Sequence, residues 1–155
     1  MNLIDKIFNN PKVECPRCLG KGNVDWEDIK RLEKELKWLP GKCAYCNGSG
    51  KVRSEMLSKL SADTTYLTTD ISEEERKNLT NNDFHALNRA THYDQEVNGF
   101  IKQIEYLYFI GNLDINKIVE FYLISRPEHE ITAQEKQELK DYIEKVIEHK
   151  KTGKN

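Results

Sequence analysis

The sequence predicts a mainly α protein: a small cysteine-knuckle module carrying a helical insert, followed by an α-helical bundle. Three observations predict it. The four cysteines all fall within residues 15–46, as two CxxC pairs. The stretch between the pairs, and most of the chain after residue 72, repeats apolar side chains at helical spacing. A hydrophobic share of 37%, a charged share of 32% and a mean hydropathy of -0.76 suit a surface-rich, helix-leaning soluble chain.

Residues 3–8, LIDKIF, place apolar side chains at Leu3, Ile4, Ile7 and Phe8, one face of a short docking helix that Pro11 stops. Between the cysteine pairs, Asp25 is an N-cap, and Ile29, Leu32, Leu36 and Leu39 form one stripe before Pro40 and Gly41. An amphipathic helix is expected there, with its apolar side needing a partner. Residues 1–60 make the cysteine module, and the Thr-rich, weakly periodic stretch 61–71 reads as a linker. Ser72 and Glu75 form a capping box that opens a bundle over residues 72–150. Within it, Val97, Ile101, Ile104 and Tyr108 share one stripe, and Ile115, Ile118, Val119, Tyr122 and Leu123 share the next. A second capping box, Thr132 with Glu135, precedes Leu139, Tyr142, Ile143, Val146 and Ile147, and residues 151–155 are expected to be a disordered tail.

No apolar run approaches the roughly 20 residues of a membrane-spanning helix. The opening MNLIDKIFNNPKVECP sets Asp5 and Lys6 inside its only apolar stretch, unlike a secretory signal. A cytoplasmic location is expected. In that reducing compartment paired CxxC motifs point to metal rather than to disulfides.

The pairs stand in CPRCLGKG (residues 15–22) and CAYCNGSG (residues 43–50), so the pattern CxxCxGxG occurs twice. Two residues between cysteines form a tight knuckle that aims both sulfurs at one ion. Two knuckles supply the tetrahedral thiolate set that Zn2+ accepts at about 2.3 Å. One Zn2+ per chain is therefore expected on Cys15, Cys18, Cys43 and Cys46, with iron in the same S4 site as the chemical rival. Gly20, Gly22, Gly48 and Gly50 allow positive φ and leave room for amides to turn toward the sulfurs. Four thiolates leave no position for water or substrate, so the ion's expected role is structural.

These two motifs resemble the CxxCxGxG repeats of the cysteine-rich zinc domain of DnaJ-type (Hsp40) chaperones, over roughly residues 13–53. The resemblance implies knuckles built on short β-hairpins, the same four cysteines as ligands, and a domain that handles unfolded or partner proteins. A full family member has twice as many repeats and metal sites. The chain also has no HPD tripeptide, so the resemblance does not extend to stimulating an Hsp70 ATPase. A single-zinc pair of such repeats is also similar to that of the anti-TRAP regulators, which act by binding another protein.

Other residues carry weaker signals. His85, His92, His129 and His149 are scattered, with no acid or cysteine completing a site around them. Tyr106, Tyr108, Phe109, Phe121 and Tyr122 lie at helical spacing beside Ile and Leu, as core residues do. Trp26 and Trp38 flank the insert and are candidate partner-binding residues, since interfaces favour aromatic anchors. Arg17, Lys21, Lys42, Lys51 and Arg53 gather near the knuckles, where they offset thiolate charge or meet phosphate. Residues 1–60 hold 12 Lys and Arg against 8 acids, whereas residues 61–155 hold 12 against 18, a mild asymmetry for a nucleic-acid binder. The expected function is a zinc-binding, non-enzymatic adaptor or chaperone-like factor for a protein partner. A nucleic-acid-binding regulator is the alternative, and a thiol oxidoreductase comes third.

Overall fold

The computed structural model describes residues 11–153, so the helix expected at 3–8 and the last two residues of the tail lie outside the described residues. The fold is mainly α, with two small two-stranded antiparallel sheets. It divides into two units, one running through Asp94 and the other starting at Gln95.

The first unit opens with β1 (Lys12–Glu14), β2 (Asn23–Val24), the short helix α1 (Trp26–Arg31), β3 (Gly41–Lys42), β4 (Lys51–Arg53) and α2 (Ser54–Lys59). It continues through α3 (Glu73–Thr80) into the first part of α4 (Phe84–Glu105). β1 pairs with β4, setting Val13 opposite Val52, and β2 pairs with β3, setting Val24 opposite Gly41. The strands thus pair between the repeats and not within them, which replaces the expected hairpin for each knuckle. The reason is geometric: strands flanking two knuckles that share one centre run side by side.

The helical insert is shorter than its stripe predicts. α1 starts on the Asp25 capping box but stops at Arg31, where Glu33 takes φ 58° and the amides of Lys34 and Glu33 bond back to the carbonyls of Ile29 and Lys30. That pattern is a Schellman stop with glutamate in the left-handed position. Burial explains the break. Ile29 and Trp38 are both buried, yet nine residues of straight helix, about two and a half turns, would set them on opposite faces. Leu39, the last member of the predicted stripe, is 67% exposed.

The boundary also falls elsewhere than residues 61–71. Leu67 is fully buried, and Leu79, Ala86 and Ala90 join the same core as Val24, Ile29, Trp38 and Tyr45. α3 and the start of α4 therefore complete the cysteine unit instead of beginning a separate bundle. A second Schellman stop at Asn82 (φ 59°) turns the chain between them, and Asp83 caps α4 through the Ala86 amide.

The second unit holds the end of α4, a π turn (Tyr106–Ile110), α5 (Ile115–Leu123), a 3-10 turn (Glu128–Glu130) and α6 (Ala133–Lys151). α5 packs on α6 around buried Ile118, Val119, Ile143, Val146 and Ile147, with Ile104 buried at the end of α4. Phe100 meets Tyr122 edge-on at 4.8 Å and stacks on Tyr142 at 5.7 Å. Thr132 and Glu135 form the predicted capping box, and α6 runs through Lys151, into the expected tail. The aromatics expected in the core divide. Tyr106, Phe109 and Phe121 are exposed; the π turn, closed by the Gly111 amide on the Tyr106 carbonyl, takes Tyr106 and Phe109 off the 3.6-residue stripe, and Phe121 stands on the outer face of α5.

Candidate metal centre

The four cysteines converge. Their sulfurs lie within 4.8 Å of one another, with Cys15 to Cys43 at 3.8 Å and Cys18 to Cys46 at 3.7 Å. A tetrahedron with metal–sulfur bonds of about 2.3 Å has edges of about 3.8 Å, so the donor set and its size fit Zn2+. Cys15, Cys18 and Cys43 are fully buried and Cys46 is 5% exposed.

Backbone geometry builds the cage. The Gly22 amide donates to the Cys18 sulfur and the Gly50 amide to the Cys46 sulfur, each at 3.2 Å. Both glycines hold positive φ, 81° and 77°. A Cβ on Gly22 would stand 2.5 Å from the Gly48 carbonyl oxygen, and one on Gly50 would collide with the Gly20 carbonyl. The repeats are cross-tied as well: the Cys15 amide donates to the Gly50 carbonyl at 2.9 Å and the Cys43 amide to the Gly22 carbonyl at 3.0 Å.

The thiols differ in acidity. A hydrogen bond from Cys43, against the cost of burial, holds Cys15 well below the ordinary thiol range, at about 5. Its partner Cys43 is pushed up by the same bond and by burial, and burial also raises Cys18. Ionising all four in this space requires a cation among them. Zinc bound there would supply that charge and tie the two knuckles together.

Around this centre the predicted basic cluster takes structural posts. Arg17 is 1% exposed, stacks on Trp38 at 4.1 Å, and donates to the carbonyls of Ala62 (2.7 Å), Thr64 (3.0 Å) and Leu67. Lys21 bridges Asp25 at 2.7 Å and the buried Asp28 at 2.8 Å, and Lys42 faces Glu73 at 3.6 Å. Lys51 and Arg53 stand exposed on β4. Trp38, expected as a partner anchor, is 2% exposed and donates to the Thr65 carbonyl at 2.9 Å; its stack on Arg17 makes it a core residue. Trp26 is 47% exposed. Among the described residues the histidines join no metal-binding group.

Three residues around the site escaped the sequence reading. Arg31 and Arg76 donate to knuckle carbonyls, and Tyr45, fully buried, donates to the Leu60 carbonyl at 2.6 Å. Only the place of Tyr45 inside a CxxC motif could have signalled one of them. A scan against protein-family models, a search of curated proteins and a search of solved structures each found no match.

Proposed function

We propose that this protein is a non-enzymatic interaction module that holds one zinc ion as a structural clamp and presents the surface beside it to a protein partner, as an adaptor or chaperone-like factor. The observation that carries the reading is the close set of four buried cysteine sulfurs, enough to fill every position of a tetrahedral ion. An ion so enclosed stabilises a fold and has no room to bind substrate.

Support for a protein partner comes from exposed apolar side chains next to that cage. Leu19 is 50% exposed although it sits inside the first CxxCxGxG repeat, and Trp26 follows two residues after β2. Against nucleic acid, much of the basic cluster is already engaged by carbonyls and carboxylates. The resemblance of the repeats to the DnaJ-type zinc domain points the same way.

Purification from native cells under reducing conditions tests the proposal. About one zinc per chain is expected by elemental analysis, together with a defined protein partner that Cys43→Ser removes. Zinc near zero overturns the clamp, and recovery of nucleic acid alone overturns the choice of partner.

A further inference from the structure

The loop from Tyr66 to Ile71 meets α3 and the first part of α4, and together they line a cavity of about 260 Å3 that lies wholly within the first unit. Its apolar lining is Ile71 from the loop, Leu79 from α3 and Ala90 from α4, the last two buried. Two aromatic rings complete it. Tyr66 comes from the loop and is partly buried, and Tyr93 comes from α4 and is 45% exposed. Among the described residues neither tyrosine hydroxyl has a hydrogen-bond partner. The cavity thus offers an apolar interior, two rings and two phenol oxygens with lone pairs to spare.

The charges of the lining decide which ligand suits it. Arg89 donates through Nε and Nη2 to the two carboxylate oxygens of Glu75, at 3.0 and 2.8 Å, so these two charges cancel. Asp70 accepts from the Thr68 hydroxyl at 2.6 Å, and among the described residues no lysine or arginine pairs with it. Its charge is the one left uncompensated in the lining. The same field is felt at Tyr93, where burial and the carboxylates of Asp70 and Asp94 push the phenol up. An anion would meet that carboxylate with the lining's guanidinium already taken, and a neutral apolar group would cover Asp70 without pairing it. A cation gains from the carboxylate and from both ring quadrupoles. Arginine needs an acceptor that presents two oxygens to its planar fork, and the one carboxylate doing so is engaged by Arg89. Lysine, a compact charge with three rotatable donors on an apolar stem, matches single acceptors set around an apolar interior.

We propose that the cavity between Tyr66 and Tyr93 receives a lysine side chain of the protein partner, with its alkyl stem against Ile71, Leu79 and Ala90 and its ammonium on Asp70. That the lysine belongs to a protein rests on the reading of this chain as an interaction module; the chemistry of the cavity does not involve the metal. The partner's contact surface is accordingly basic, and its hold on this chain weakens as salt screens the pair.

The test titrates the isotope-labelled, zinc-loaded full chain with Nα-acetyl-lysine N-methylamide and, separately, with its norleucine analogue, which keeps the stem and lacks the ammonium. Saturable amide shifts are expected at Asp70, Ile71, Ala90 and Tyr93 with the lysine compound, and binding of the norleucine compound should be about tenfold weaker or less. Asp70→Asn keeps an acceptor for Thr68 but removes the charge, and should weaken lysine binding about tenfold. Tyr93→Leu keeps apolar contact without the ring, and should weaken it about threefold. The spectrum of each variant reports its folding, and the two lie on different elements, so one decides if the other does not fold. Equal binding of the two compounds, unchanged affinity in the variants, or shifts spread over the acidic surface overturns the inference. Capture of a protein from native cells that survives both variants overturns it alone and leaves the proposed function standing. A dimer of the wild type that Asp70→Asn dissolves would give the lysine to a second copy and overturn its assignment to a different protein. Failure of the zinc-loaded wild type to capture any protein overturns the interaction reading and the source of the lysine together.

Discussion

Leu19 and Asn47 hold the same place in the two repeats, with φ of 53° and 55°. Asparagine tolerates the left-handed region because its short amide bonds locally, whereas a larger side chain there costs about 1 kcal/mol or more. Leu19 is also half exposed, so burial returns little of that cost. Strain of this kind persists where another role holds it, and contact with a partner is the role proposed above. Leu19→Asn should therefore stabilise the zinc-loaded protein by about 1 kcal/mol in chemical denaturation while weakening partner capture. A variant that loses stability would show that Leu19 packs within its own unit.

At the scale of elements, the insert between the repeats divides its two tryptophans. Trp38→Ala removes a buried ring, its stack on Arg17 and a bond to the Thr65 carbonyl, and should cost about 3–5 kcal/mol in a denaturation experiment. Trp26→Ala, at the exposed start of α1, should cost less than about 1 kcal/mol. Equal costs would contradict this division. The same insert shows where sequence reasoning reached and where it stopped. Asp25, Thr132 and the convergence of the cysteines were legible because a helix cap and a CxxC turn are local chemistry, each written in residues a few positions apart. The Schellman stop at Glu33 was not, since glutamate carries no left-handed signal and tertiary burial of Ile29 and Trp38 decides it. Residues 61–71 read as a linker because they are polar and Thr-rich, but what they offer Arg17 and Trp38 is main-chain carbonyls, which every sequence has.

Across the whole molecule, the two units draw stability from different sources. The first builds its core around four cysteines, while the second packs Ile104, Ile118, Val119, Ile143, Val146 and Ile147 without one. Binding free energy at a structural zinc site is folding free energy for the part that contains it. Chelation in reducing buffer should abolish amide-exchange protection at the strand pairs and around Arg17, and leave α5 and α6 protected. Uniform loss of protection would tie both units to the metal. The carbonyls that receive the Arg17 guanidinium also bear on how this module could be shared among proteins. A buried cation makes its acceptors as necessary as its own codon, and those acceptors lie beyond the last cysteine, at residues 62–67. The portable cassette is thus longer than its cysteine signature: a recombination event that copied only the two motifs would deliver the ligands and strand a charge.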